Sequence, residues 1–215
     1  INHKITTIVQ APTSAGKSIL TGYIYTKKKV NVLVVVPTDI LAWQMSSMVG
    51  HLTKQDIPIL TETHQSCISR DDMVKKINNT GIVVGTPKEI VDILPIIDIE
   101  PDWVIIDEIH MIGKDSCSEM ETIVKLYYDK PILALSATIG NVEELKSWFL
   151  KTGQKKVEII KCEKRFFNLQ KFYYDNKENK INVIHPLSMI SLSEISDGSI
   201  INKNLNPTPP DIYDL

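Results

Sequence analysis

The stretch Ala11-Pro12-Thr13-Ser14-Ala15-Gly16-Lys17-Ser18 follows a β-branched run at residues 5–9 and opens a helical pattern over residues 17–27. A strand, a tight loop of small residues, a lysine and a helix, in that order, make a phosphate cradle. Small side chains let backbone N–H groups close around phosphate oxygens, and the helix N-terminus adds the positive end of its dipole. In such a loop Gly16 permits close backbone approach, Lys17 reaches the β and γ phosphates, and the Ser18 hydroxyl ligates Mg²⁺. Ala11 stands where the pattern carries its first glycine. A flexible turn with an incidental lysine is the plain alternative, and the strand before the loop and the helix after it argue against that.

Outward from this loop, short Val- and Ile-rich runs alternate with helical stretches. The runs lie at residues 32–36, 81–84, 103–106, 132–135 and 157–160, with helices expected over 40–52, 71–77, 88–94, 119–127 and 142–150. Strands with so little polar alternation are covered on both faces, which predicts a mostly parallel sheet in an α/β fold. The last helix opens on Asn141, with Glu143 and Glu144 in its first turn, where the dipole favours negative charge. Beyond about residue 175, Asn, Lys, Asp and Ser accumulate, and Pro207, Pro209 and Pro210 crowd the end. This part reads as an extension or linker, with residues 181–190 forming a strand or a short helix. For residues 192–215 a linker and a disordered tail fit equally well.

A second chemical signal lies some ninety residues after the loop, where Trp103-Val104-Ile105-Ile106 delivers Asp107-Glu108-Ile109-His110. Two adjacent carboxylates at a strand end suit a nucleotide hydrolase. Asp107 holds Mg²⁺ directly or through water, and Glu108 positions and activates the attacking water. Solvated loop acids are common at strand ends, and it is the pairing with the upstream loop that favours catalysis.

The 215 residues carry 24 Lys and Arg against 26 Asp and Glu, a formal net charge of −2. That balance excludes a protein coating nucleic acid by bulk positive charge, so any such contact needs a local groove. The longest apolar run is far short of the roughly 18 residues of a membrane helix. The three cysteines, Cys67, Cys117 and Cys162, are scattered, with no zinc spacing, which suits a reducing compartment and free thiols. A soluble intracellular protein, away from membranes and without zinc, is therefore expected. The chain opens at Ile1 and enters a strand almost at once, so a fragment of a larger protein is expected as well.

Asp107-Glu108-Ile109-His110 resembles the DExH box of superfamily 2 helicases, and Ser136-Ala137-Thr138 resembles their motif III. Pro37-Thr38-Asp39-Ile40-Leu41-Ala42-Trp43-Gln44 is similar to motif Ia, and Gly85-Thr86-Pro87 to motif Ib. With the phosphate loop these make five motifs in the family's order, spread over residues 5–150. The run from Leu135 to Asn141, with Glu143-Glu144-Leu145 and residues 107–113, most resembles the Ski-type DExH helicases.

The resemblance implies a RecA-like phosphate-loop NTPase domain at residues 1–160, the first of two motor domains, and a connection toward the second at residues 161–215. It implies ATP and Mg²⁺ as cofactors, a single nucleic-acid strand as partner, RNA favoured over DNA, and the second RecA-like domain as partner in closure. Residues 11–18 would bind ATP, Ser18 and Asp107 the metal, and Glu108, Lys17 and Asp107 would be catalytic. His110, Ser136 and Thr138 would couple hydrolysis to movement, while Pro37, Thr38, Gly85, Thr86 and Pro87 would line the nucleic-acid path. Lys164 to Leu169 resembles the family's exit from the first domain.

Several features depart from that pattern. Asp39 is an acid where motif Ia often carries a basic or neutral residue. The lysine runs 27–29, 75–76 and 155–156 read as solvated faces. Gln10 is too close to the loop to read adenine. Arg70 and Arg165 are the only arginines, and neither sits in an arginine-finger context, so the chain by itself is expected to hydrolyse ATP slowly or not at all. A DNA helicase and a non-unwinding ATP-gated clamp remain alternatives.

Overall fold

The computed structural model describes residues 5–13, 15–28, 30–65, 69–97, 99–113, 118–162, 171–175 and 177–184. Two compact units divide the chain, Ile1–Glu163 and Lys164–Leu215.

In the first unit the elements run β1 Thr6–Gln10, α1 Ile19–Lys28, β2 Val32–Val35, α2 Asp39–Thr53, β3 Ile59–Leu60, α3 Glu62–Gln65 and α4 Arg70–Thr80. They continue as β4 Ile82–Gly85, α5 Pro87–Ile93, β5 Trp103–Ile106, α6 Ser118–Leu126, β6 Ile132–Ser136, α7 Val142–Lys151 and β7 Val157–Lys161. The seven strands form one sheet in the order β3-β4-β2-β5-β6-β1-β7. Every pairing is parallel. All the strand ends that carry the motifs therefore emerge along one edge.

The pleat sorts side chains between two cores with a period of two. Leu33, Val35, Val104 and Ile106 belong to one buried cluster, which takes in Ile90 of α5, Met120 and Ile123 of α6 and Phe149 of α7. Val32, Val34, Trp103 and Ile105 belong to the other, with Ile24 of α1 and Ala42, Met45 and Val49 of α2. Both faces are covered, which is why these strands show no polar alternation.

Helix ends follow local chemistry. Thr38 Oγ1 accepts from Leu41 N–H at 3.4 Å to open α2, and Asn141 Oδ1 accepts from Glu144 N–H at 3.2 Å to open α7. The two-residue strand β3 was not expected from the sequence. It is short, and Pro58 immediately before it blunts the β pattern.

The second unit shows an antiparallel hairpin, β8 Lys171–Asp175 and β9 Lys180–Ile184. Its turn is held by Asp175 Oδ1, which accepts from Lys177 N–H at 2.8 Å, and by Asn179 at φ 53°. Of the strand or short helix expected over residues 181–190, a strand is present up to Ile184, the rest lying outside the described residues, and its partner Lys171–Asp175 was not expected as a strand. No helix among the described residues is long and apolar enough to cross a membrane.

Candidate functional site

The phosphate-loop residues span the turn from β1 to α1. Ala15 N–H donates to Pro12 O at 3.2 Å, and Gly16 sits at φ +79°, a left-handed conformation that L side chains disfavour. Three successive i→i+3 bonds, from Ile19 N–H to Gly16 O, Leu20 N–H to Lys17 O and Thr21 N–H to Ser18 O, tighten the entry into α1. Lys17 Nζ turns back onto the loop, donating to Ala11 O at 2.7 Å and Pro12 O at 3.0 Å. The ammonium thus occupies the loop's own concavity, held by two carbonyls. Ser14 lies outside the described residues.

The sheet order then decides which motifs meet. β6 lies beside β1, so Ala11 N–H donates to Ser136 O at 3.0 Å and ties the loop to the expected motif III. β5 lies on the other side of β6 and brings up the two carboxylates. Asp107 is 8% exposed. Burial pushes its carboxyl above the usual Asp value, and the neighbouring Glu108 charge adds to that rise. The Glu108 N–H, 3.0 Å from Asp107 Oδ1, and the charges of Lys17 and His110 act in the opposite direction.

Glu108 has φ 52° and ψ 45°, a left-handed backbone on a residue with a full side chain. Such a conformation is kept only where the surroundings impose it, and it opens the short 3-10 turn Ile109–Met111. That turn returns His110 toward Glu108, with Nδ1 3.0 Å from Glu108 Oε2. His110 Nδ1 is also 3.0 Å from Ser136 Oγ, which spends its own proton on Thr138 O at 3.1 Å. Ser136 Oγ must therefore accept, which assigns the proton to His110 Nδ1. The approach to Glu108 is a close polar contact rather than an aligned hydrogen bond. Oε2 is buried, and no hydrogen bond reaches it among the described residues. Glu108, His110, Ser136 and Thr138 thus form one connected set.

Pro37 and Thr38 leave β2, while Gly85, Thr86 and Pro87 leave β4, the next strand over. Val36 N–H donates to Gly85 O at 3.0 Å, so the two exits lie side by side. Three of these residues have a local job. Thr38 caps α2. Pro87 occupies the first turn of α5, where a missing N–H costs nothing. A Cβ on Gly85 would come within 2.8 Å of Leu60 Cβ and 2.9 Å of Ile90 Cγ1. Asp39, the acid that departs from the motif pattern, lies in the first turn of α2 and suits the helix dipole. It also accepts from Thr63 Oγ1 at 3.5 Å. Gln10 Nε2 reaches Ile139 O at 3.5 Å, bridging β1 to the loop after β6.

Lys88 was passed over in the sequence. It sits in the first turn of α5, 3.2 Å from Glu89 Oε1 and 3.6 Å from Asp92 Oδ2. The i,i+4 spacing of Lys88 and Asp92 was the signal available.

Residues 1–145 match the DEAD/DEAH box helicase family. An uncharacterised helicase of Dictyostelium discoideum is 26% identical over 221 residues, covering 92% of this chain and 12% of that protein. The ATP-dependent DNA helicase Hel308 of Thermoplasma volcanium is 30% identical over 152 residues, covering 66% of this chain and 22% of that protein. This chain therefore spans less than a quarter of either relative. Among solved structures, a hypothetical ATP-dependent RNA helicase from Sulfolobus tokodaii superposes with a TM-score of 0.60 at 23% identity, over 74% of this chain and 48% of that one. The likeness shows a RecA-like fold.

Proposed function

The chain belongs to the DEAD/DEAH box helicase family, and from that premise we propose that it is the first motor domain of an ATP-dependent RNA helicase of the Ski type. Residues 1–160 form the motor domain in this reading, and residues 161–215 lead toward a second one. The observation that carries the reading is the connected set at the β5 and β6 ends. A buried Asp107, a Glu108 with an unsatisfied oxygen, and a His110 shared between Glu108 and Ser136 all lie one strand or two from the phosphate loop.

The donors suit the cofactors. Ser18 offers a hydroxyl and Asp107 a carboxylate, both hard oxygens. No three His, Cys, Asp or Glu side chains converge among the described residues. Magnesium needs no such cage, because it keeps several waters and takes its other ligands from substrate phosphates. When bound, the ion neutralises charge on the phosphates and supplies electrophilic activation.

The chain's own groups do the rest. Lys17 leaves the carbonyls of Ala11 and Pro12 for the phosphates. The loop's backbone N–H groups that are not already spent, as those of Ala11 and Ala15 are, turn to the phosphate oxygens. Glu108 Oε2 takes the hydrogen bond of the attacking water. His110 moves with Glu108 and reports its state to Ser136 and Thr138, which adjoin the loop through Ala11. Pro37 and Thr38 lie three strands from β1, and Gly85, Thr86 and Pro87 four, where the Thr38 and Thr86 hydroxyls can meet a sugar–phosphate backbone. The choice of RNA rests on the Ski-type run at residues 135–141, since nothing in this chain reads a 2′-hydroxyl.

The test is steady-state ATPase on the intact protein with no polymer, with single-stranded RNA and with single-stranded DNA. Stimulation by RNA alone is the expected result. Stimulation by DNA alone or by both moves the substrate to DNA, as the name of the Thermoplasma relative suggests for that protein. Nucleotide binding without hydrolysis under any condition favours an ATP-gated clamp.

A further inference from the structure

Among the described residues, the ends of β2 and β4 carry little positive charge for a site that meets phosphates. Asp39 lies at the head of α2, and Lys88, at the head of α5, sits in the field of three carboxylates, Glu89, Asp92 and Glu62. The two nearer acids differ in kind. The Glu89 side chain is only 10% exposed, with Lys88 against its Oε1 at 3.2 Å, whereas Asp92 is 60% exposed and lies farther off, at 3.6 Å. Lys88 itself is 67% exposed. A nearly buried carboxylate needs its counter-ion, because a lone charge at low dielectric is costly. An exposed carboxylate is well hydrated and gives up a surface partner at little cost.

We infer that Lys88 is the cation that meets the strand's phosphodiester on this face, staying on Glu89 while it exchanges Asp92 for a phosphate oxygen, so that Asp92 acts as a brake on nucleic-acid binding. An ammonium has three donors and can hold both partners at once. The Glu89 hydrogen bond, followed by the Glu89 and Asp92 charges, holds Lys88 above the ordinary lysine value, so it stays charged throughout the exchange. Glu89 is a positioning residue here, and its own position is fixed by burial in α5. The inference rests on the nucleic-acid reading of this face.

The experiment measures affinity of the intact protein for a labelled oligouridylate and its deoxy counterpart across a salt series. Asp92→Asn is expected to tighten binding about two- to fivefold, the range of an exposed ion pair. Lys88→Gln is expected to weaken it and to lower the salt slope by about one, and Lys88→Arg to restore both. In the Lys88→Gln background, Asp92→Asn should have no effect. If the gain from Asp92→Asn persists in that background, Asp92 acts only through its field and the exchange is wrong. An Asp92→Asn variant that binds like wild type also overturns it, and in either case the face would still bind a strand. A wild-type protein that binds neither oligonucleotide overturns the nucleic-acid reading itself and the inference with it.

Discussion

The strand ends of this sheet divide into two halves that handle their polar groups differently. At β1, β5 and β6, side chains are joined to one another across the sheet. Lys17 rests on loop carbonyls, His110 lies between Glu108 and Ser136, and Ser136 Oγ donates to Thr138 O. At β2 and β4, the motif residues mostly serve local structure. Thr38 caps its own helix, Pro87 starts its own helix, and Gly85 makes room for its own neighbours. The first half holds an assembled set of chemical groups with one oxygen left unsatisfied. The second half is a scaffold whose binding capacity comes from backbone and hydroxyl groups. A motif match alone does not separate these situations, because both halves fall within the same family match.

The largest effect expected from that contrast is at the first half. Replacing Glu108 by Gln removes the base while keeping shape and the approach to His110. Turnover in the intact protein should fall by about 10²–10⁴-fold, the usual worth of a positioned general base, with nucleotide affinity retained. Measuring kcat beside nucleotide binding checks both. If kcat holds, Glu108 is not the base, and the αL backbone there has only a structural cause.

The second half should respond through stability rather than chemistry. Gly85→Ala places a methyl within 3.0 Å of Leu60 O as well as against Leu60 Cβ and Ile90 Cγ1. Backbone cannot swing aside, so β3 and β4 must separate, at a cost of about 1–3 kcal/mol for an overpacked site. Thermal or denaturant unfolding reads this directly. A Gly85→Ala protein as stable as wild type would mean that this glycine is there for the ligand and not for the packing.

What the sequence made legible follows the same division. Strands such as residues 103–106 and 132–135 were plain because burial on both faces removes polar residues from them. The loop and Asp107-Glu108 were plain because phosphate and metal chemistry needs particular side chains at particular spacings. Three things stayed hidden for physical reasons. β3 is two residues long behind a proline, too short for any period to register. The left-handed backbone at Glu108 and the double use of His110 Nδ1 arise from the packing of β5 against β6, which no local pattern encodes. Lys88 was hidden because its significance lies in the unequal burial of Glu89 and Asp92, and both are simply acids in a helix when read as letters.

The smallest effect tests whether the first half is organised at the expense of the fold. Asp107 is buried in a place where its ionised form is poorly solvated, and burial raises its pKa above the unfolded value. For a carboxyl, that sign means its favourable contribution to folding is fully present below the ordinary Asp range. It is then lost as the pH rises through the folded-state value. At neutral pH the charged Asp107 therefore works against the ligand-free fold. Asp107→Asn keeps the shape and removes the charge, so the ligand-free variant should melt above wild type at pH 7. The difference should shrink as the pH falls toward the ordinary Asp range, where wild type becomes neutral too. The same variant should lose its response to Mg·ATP, since the metal's carboxylate is gone. Melting curves at the two pH values, with and without Mg·ATP, separate these effects. A variant less stable than wild type at pH 7 would show that the hydrogen bond from Glu108 N–H and the attraction of Lys17 and His110 outweigh the desolvation. In that case the carboxylate half of the edge would be as much a part of the scaffold as Gly85.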